Sequence, residues 1–443
     1  MATASDTNSR ALRAGHASFV NFRDRTWLRD FVDLAAAQVV TSILRFVALA
    51  WGARHLGPSS FALVAVAAVV NGYFVAGALS GLDTLGARDI AISPSAPSFV
   101  ADTTALRLMV ASAVVVTTVP LVWLTGLGTD SAAAISVLVL TLFPLALDPR
   151  WALIGLRRTR PVAVSELFSA VMNLTIVLIF VRKPGDFIFV PVAQLASDVV
   201  RSFLLRRVLR RIGVRKSPRL EALNFRTLRD ALPLSGAQLI RSAVVTLDVV
   251  IVGATRPRTE AGQYAAASRL FVVGLVFLGL YYQVLLPRLV LAFDAGPGEE
   301  SRLLAIGKTR VIRAVMPMVA VASLASPFAI PALLGPDYRV AGRLFGVLVW
   351  GLACVAATGL YNQVLVVHRQ ELYVTVIVTI ALVVDIIGIL ILLPTMGIIG
   401  APIAAVASES IGLLLTVGAA RRVISLDSQR GNRGAFTSSR EAP

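Results

Sequence analysis

Two arginines stand where arginines are expensive. Arg45 and Arg241 each interrupt an apolar run long enough to cross a membrane. An ionisable residue at mid-bilayer costs about 2.5–3.5 kcal/mol, so those retained are expected to face the interior of a helix bundle. A guanidinium stays charged there, and its planar fork of donors grips a phosphate through two parallel hydrogen bonds. Both arginines have polar company at helical spacing. Gln38 lies seven residues before Arg45 on the same stripe, with Ser42 between them. Gln238, Arg241 and Asp248 share a stripe in the same way, beside Ser242. The chemistry on offer is capture of an anion. The alternative is that each arginine snorkels to a headgroup or pairs structurally, as Arg241 would with Asp248.

Other polar residues fall inside apolar runs. Glu166, Asp385 and Glu409 have no partner in sequence; they would carry protons in a coupled cycle or serve as hydrogen-bonded structural groups. Asp198 and Arg201, three residues apart, are expected to form a structural pair. Tyr281-Tyr282-Gln283 and Tyr361-Asn362-Gln363 would present rings and amides to sugars, or anchor at the membrane interface.

What positions these groups is a set of membrane helices. Of 443 residues, 56% are hydrophobic and 15% charged, against about 45–50% and 25% for soluble domains. Leu56–Leu82, Leu108–Thr129, Ala314–Pro336 and Leu344–Val367 hold no Asp, Glu, Lys or Arg. Each reaches the roughly 20 residues that cross about 30 Å of hydrocarbon. Twelve such spans are expected, near 31–51, 59–79, 105–125, 132–155, 161–181, 187–206, 229–253, 265–290, 311–334, 341–366, 371–393 and 397–420. The connections leave no room for a soluble domain. The basic stretch ahead of the first span mimics a secretory signal, but Gln38 and Arg45 interrupt its apolar part, so it reads as an uncleaved first helix.

The net charge of +17 would suggest nucleic acid in a soluble protein, whereas membrane orientation explains it here and no nucleic-acid partner is expected. The N-terminus, the even-numbered connections and the C-terminus hold 30 Arg and Lys; the other connections hold six. That bias places both termini in the cytoplasm. One cysteine, three scattered histidines and no GxxxxGK[ST] loop leave no disulfide framework, metal site, nucleotide cradle or cofactor to expect. No catalytic residue is assigned, because the short outer connections offer no catalytic loop.

The chain divides into a tail (1–30), a six-helix lobe (31–206), a basic linker (207–228), a second six-helix lobe (229–420) and a second tail (421–443). The halves echo each other: Ala37-Gln38 and Ser42 return as Ala237-Gln238 and Ser242, and Val137-Leu138-Val139 as Val347-Leu348-Val349. An even number of spans per half makes the repeats parallel, related by an axis along the membrane normal, with substrate between the lobes.

Four segments carry a family resemblance. Arg54-His55-Leu56-Gly57-Pro58-Ser59-Ser60-Phe61 resembles an R-x-LGP-x-x-F-G turn, with Ala62 in place of the last glycine. Thr259–Leu270 resembles an E-x-G-x-Y-x-x-A-x-[RK]-[LIV] helix start. Leu334-Gly335-Pro336-Asp337-Tyr338 with Ala341 resembles F-G-x-x-Y-x-x-A, and Gly397–Ala404 resembles G-x-x-G-A-A-[IL]-A, with Pro402 replacing an alanine. Together they resemble the polysaccharide (Wzx-type) flippases of the multidrug/oligosaccharidyl-lipid/polysaccharide exporter superfamily. The resemblance implies an all-α, MATE-like polytopic membrane protein, without the two additional helices typical of lipid II flippases. It implies translocation of undecaprenyl-pyrophosphate-linked oligosaccharide across the bacterial inner membrane for O-antigen, capsule or exopolysaccharide assembly, beside a polysaccharide polymerase. On that reading Arg45, Arg241 and Arg269, with Gln38 and Gln238, bind the substrate, while Asp248, Glu166, Asp385 and Glu409 are candidates for ion coupling. The rivals are a cation-coupled multidrug or metabolite antiporter of the same superfamily and, more remotely, a membrane polymerase or ligase.

Overall fold

The computed structural model describes residues 25–92, 97–212, 225–295, 297–368 and 370–438. Residues 1–24 of the expected first tail, 213–224 of the expected linker and 439–443 of the second tail lie outside the described residues. Every regular element among the described residues is helical.

The first lobe comprises α1 (Arg25–Ala78), α2 (Ser80–Ile92), α3 (Pro97–Leu124), α4 (Thr129–Leu140), α5 (Leu142–Leu147), α6 (Arg150–Gly155), α7 (Thr159–Phe180) and α8 (Phe189–Arg211). The second comprises α9 (Phe225–Thr255), α10 (Arg258–Ala295), α11 (Pro297–Arg310), α12 (Met316–Leu334), α13 (Arg339–Leu348), α14 (Trp350–Val367), α15 (Glu371–Met396) and α16 (Gly400–Ser438).

Among the described residues ten helical stretches are long and apolar enough to cross a membrane. Two of them, Ala37–Ala78 with 42 residues and Leu372–Ile424 with 53, are each twice the length one crossing needs. The first breaks at Gly57 (φ 69°) and the second at Gly397 (φ 67°). A side chain at such a φ would be strained, so glycine fixes where each pair divides. Pro58 then opens the following helix, where a missing N–H costs nothing. Counted as pairs, these two stretches make the described residues consistent with the expected twelve spans.

Two of the expected spans are built from more than one helical segment. The span at 132–155 is α4, α5 and α6, and the span at 341–366 is α13 and α14, parted at Val349. At the first break Thr141 turns its hydroxyl back to the Leu138 carbonyl and accepts a bond from Asn71 of α1 at 3.1 Å. At the second, Asp148 is extended (ψ 117°), as a residue before proline prefers. The two repeated Val-Leu-Val triplets therefore both run into helix breaks, at Thr141 and at Val349.

Ending α5 inside the bundle strands carbonyls at its C-terminal end, and four in this segment find side-chain donors. Arg107 donates to Asp148 at 2.7 Å and to Leu145 at 2.6 Å, Arg206 to Leu147 at 2.9 Å, and Ser202 to Pro144. Charged donors at a helix C-terminus also complement its dipole. Small residues set the closest approaches elsewhere: Ala401 and Ala404 are fully buried, and a β-carbon at Gly388 would come within 3.0 Å of Ala404.

Candidate translocation pathway

The lobes meet through α1 and α2 on one side and α9, α10 and the Pro336–Tyr338 turn on the other. The largest buried cluster lies at this junction, at the Arg-poor end of the bundle. It joins Ala53, Leu56 and Ala65 of the first lobe to Val252, Tyr264, Ala265 and Ala341 of the second. Gly262 packs directly on the Pro58 carbonyl, and Gly253 on Val66 at a distance where a β-carbon would collide. Tyr338 donates across the lobes to the Ala53 carbonyl at 3.0 Å, and the Tyr73 and Thr246 hydroxyls meet at 3.1 Å. Gln263 braces the turn from within, bonding the Asp337 carbonyl at 2.5 Å and the Ala341 amide at 2.8 Å. The segments around Pro58, Thr259–Leu270 and Tyr338 thus converge on one seal.

Toward the other end the two edges of the junction differ. On the α2–α9 edge the lobes stay in contact: Gly81 donates to Ser235 at 3.2 Å above a cluster of Leu82, Leu85, Leu106 and Ala231. On the α1–α10 edge a cavity of about 420 Å³ opens between Ser42, Ile43 and Phe46 of α1 and Leu270, Val273 and Phe277 of α10. A second cavity of about 580 Å³ continues past Phe277 to Tyr281, Tyr282 and Arg310.

Arg45 and Arg241 lie on the first helix of each lobe, both exposed and neither in a salt bridge among the described residues. Gln38 is half-buried and Gln238 exposed. Arg45 is within electrostatic reach of Glu166, Asp198, Arg201 and Arg150, as expected of a side chain standing in a concavity of the first lobe. Arg269 is half-buried at the lobe junction and donates to the Ala65 carbonyl at 3.3 Å. The three arginines occupy three helices of the junction, with no bond among them.

The acids divide into two groups. In the first lobe Arg201 lies between Asp148 at 2.8 Å and Asp198 at 3.3 Å, and Gln194 donates to Asp198 at 2.9 Å. The expected Asp198–Arg201 pair is present, enlarged by Asp148. Glu166 is not alone: Arg150, at the start of α6, reaches it at 2.6 Å. In the second lobe the expected alternative of an Arg241–Asp248 pair gives way to another arrangement. Asp248 is buried and accepts from the Tyr264 hydroxyl and from the Val249 amide at 2.7 Å. Asp385 on α15 is buried, with Oδ1 lacking a hydrogen-bond partner, and feels Asp248 and Glu409 as neighbouring charges. No group of acids, histidines and cysteine among the described residues is arranged to hold a metal ion.

Of the sugar-facing candidates, Tyr282 is committed to the Ala356 carbonyl and stacks edge-on with Tyr281 at 5.3 Å. The Gln283 side chain lies outside the described residues. Asp148 and Tyr264 carried no signal as partners of the charged groups, although a lone Asp-Pro closing an apolar run marks a helix break.

A sequence profile of the polysaccharide biosynthesis protein family matches residues 27–293, more than half of the chain. The chain belongs to that family. Among curated proteins no relative matches. In fold the family member is similar to an inward-facing multidrug resistance MATE family transporter of the MOP superfamily, at 16% identity and a TM-score of 0.70, over 89% of this chain and 99% of that one. The lipid II flippase MurJ in an inward closed conformation follows at 15% identity and 0.69, over 91% and 92%. An outward-facing MATE transporter overlays less well, at 16% identity and 0.59, over 91% and 96%. The polysaccharide biosynthesis protein is a multi-pass membrane protein with the MOP-superfamily fold.

Proposed function

We propose that this protein is a flippase carrying a polyprenyl-pyrophosphate-linked oligosaccharide across the bacterial inner membrane, for O-antigen, capsule or exopolysaccharide assembly. Both termini lie in the cytoplasm, and the lobes rock about the seal to expose the central space alternately. The work is transport, without covalent chemistry. One observation carries this reading: Arg45 and Arg241 stand exposed on the first helix of each lobe, in no ion pair among the described residues. Guanidiniums so placed suit a diphosphate, which must pass a region where anions are poorly solvated. Gln38 and Gln238 extend each arginine's polar stripe, and Arg269 adds a third charge at the junction.

Asp248, Asp385 and Glu409 supply the coupling acids of the cycle, while Glu166, held by Arg150, is structural. A drug antiporter would instead offer carboxylates to a cationic substrate. The Asp248 carboxylate is buried and engaged by Tyr264, which favours the flippase. The polymerase that uses the product would act on the outer leaflet.

Replacing both arginines (R45Q/R241Q) tests the assignment. The expected result is loss of surface polysaccharide, with lipid-linked oligosaccharide accumulating and the protein present in the membrane at its normal level. Normal export by that variant would refute it, and altered drug susceptibility with intact polysaccharide would favour the antiporter.

A further inference from the structure

Away from the inter-lobe junction, on the flank of the first lobe, α5 and α8 leave a groove of about 580 Å³ that the translocation pathway does not use. Its floor is apolar, with Phe143 and Leu147 on one side and Phe203, 63% exposed, on the other. Its rim is cationic, formed by Arg206, Arg207 and Arg210 at the Arg-rich end of α8, and among the described residues no acidic side chain lines it. Arg206 spends only its Nε, on the Leu147 carbonyl. Arg207 and Arg210 are exposed, with no hydrogen bond or ion pair among the described residues.

We propose that this groove binds an anionic glycerophospholipid of the Arg-rich leaflet, its phosphodiester among the three guanidiniums and an acyl chain along Phe203 and Phe143. Three like charges in five residues repel one another, and 206 and 210 are neighbours one turn apart. An anion between them offsets that repulsion. Basic pockets between transmembrane helices on the positively charged side recognise acidic headgroups in this manner. A free anion would leave the aromatic floor uncovered, and a zwitterionic lipid would bring an ammonium against the rim. The helices that α5 and α8 pack against belong to the first lobe, which sets the groove apart from the inter-lobe junction.

Native mass spectrometry of the full chain, released from nanodiscs of mixed phosphatidylglycerol and phosphatidylcholine, tests the site. The wild type should retain phosphatidylglycerol preferentially. At low salt R207Q/R210Q should lower that retention roughly thirtyfold, the effect of removing two surface basic residues. Phe203→Glu, which sets a carboxylate on the floor and leaves the arginines intact, should lower it as well. R157Q/R158Q, a change of equal charge at the exposed turn before α7, should leave it unchanged. Undiminished retention in R207Q/R210Q would overturn the proposal, as would an equal loss in R157Q/R158Q. Displacement of phosphatidylglycerol by undecaprenyl phosphate at equal concentration would also overturn it, by making the groove a cargo site.

Discussion

The hydroxyl of Tyr338 reaches from the second lobe to the main-chain carbonyl of Ala53 in the first, 3.0 Å away. Both groups are buried, so water cannot replace the bond while the lobes are together. Tyr338→Phe keeps the ring against Phe61 and removes only the donor. A bond of this kind contributes about 1 kcal/mol, so the sealed state should lose roughly fivefold in population. With Cys354 changed to Ser and Leu56→Cys as a probe, labelling by an impermeant maleimide from the Arg-poor side should rise accordingly.

Gly262 tests the seal from the opposite direction. Any β-carbon there meets the Pro58 main chain, which cannot rotate away. Gly262→Val should force the lobes apart at this end and label the same Leu56→Cys probe without substrate. Export should stop although the protein still inserts, whereas valine at the unconfined Gly185 should leave export intact.

Arg201 compensates two buried acids at once. Arg201→Gln leaves Asp148 and Asp198 without the cation that lies between them, a change that costs about 3–5 kcal/mol when a buried pair is broken. The variant should aggregate at a clearly lower temperature in a detergent thermal ramp. Adding Asp148→Asn to it should restore part of the loss, because one stranded charge disappears with it.

Asp385 has the opposite character. Its Oδ1 has no hydrogen-bond partner, so Asp385→Asn should change thermal stability little. In vesicles with an imposed proton or sodium gradient, transport by that variant should no longer respond to the gradient. Glu166→Gln should keep the response and lose stability instead, since Arg150 would lose its partner.

Much of the architecture was legible in the residues because membrane burial makes a demand that sequence cannot hide. Charge-poor runs gave the spans, and Gly57-Pro58, Gly335-Pro336 and Gly397 gave turns whose backbone only glycine takes easily. The motif around Gly262 and Tyr264 was legible as a helix start, and the structure adds what it packs on: Pro58 and Asp248. The breaks at Thr141 and Val349 were not legible, since both lie within apolar runs with neither glycine nor proline at the break itself. Glu166 found Arg150, and Asp248 found Tyr264 rather than Arg241, because partners across helices depend on rotation and depth that no single helix encodes.

The turns at Gly57, Gly335 and Gly397 take only a few residues each to join the helices they connect. Among the described residues that end of the molecule therefore offers scarcely any loop for a protease to cleave or an antibody to grip, whichever side of the membrane it faces.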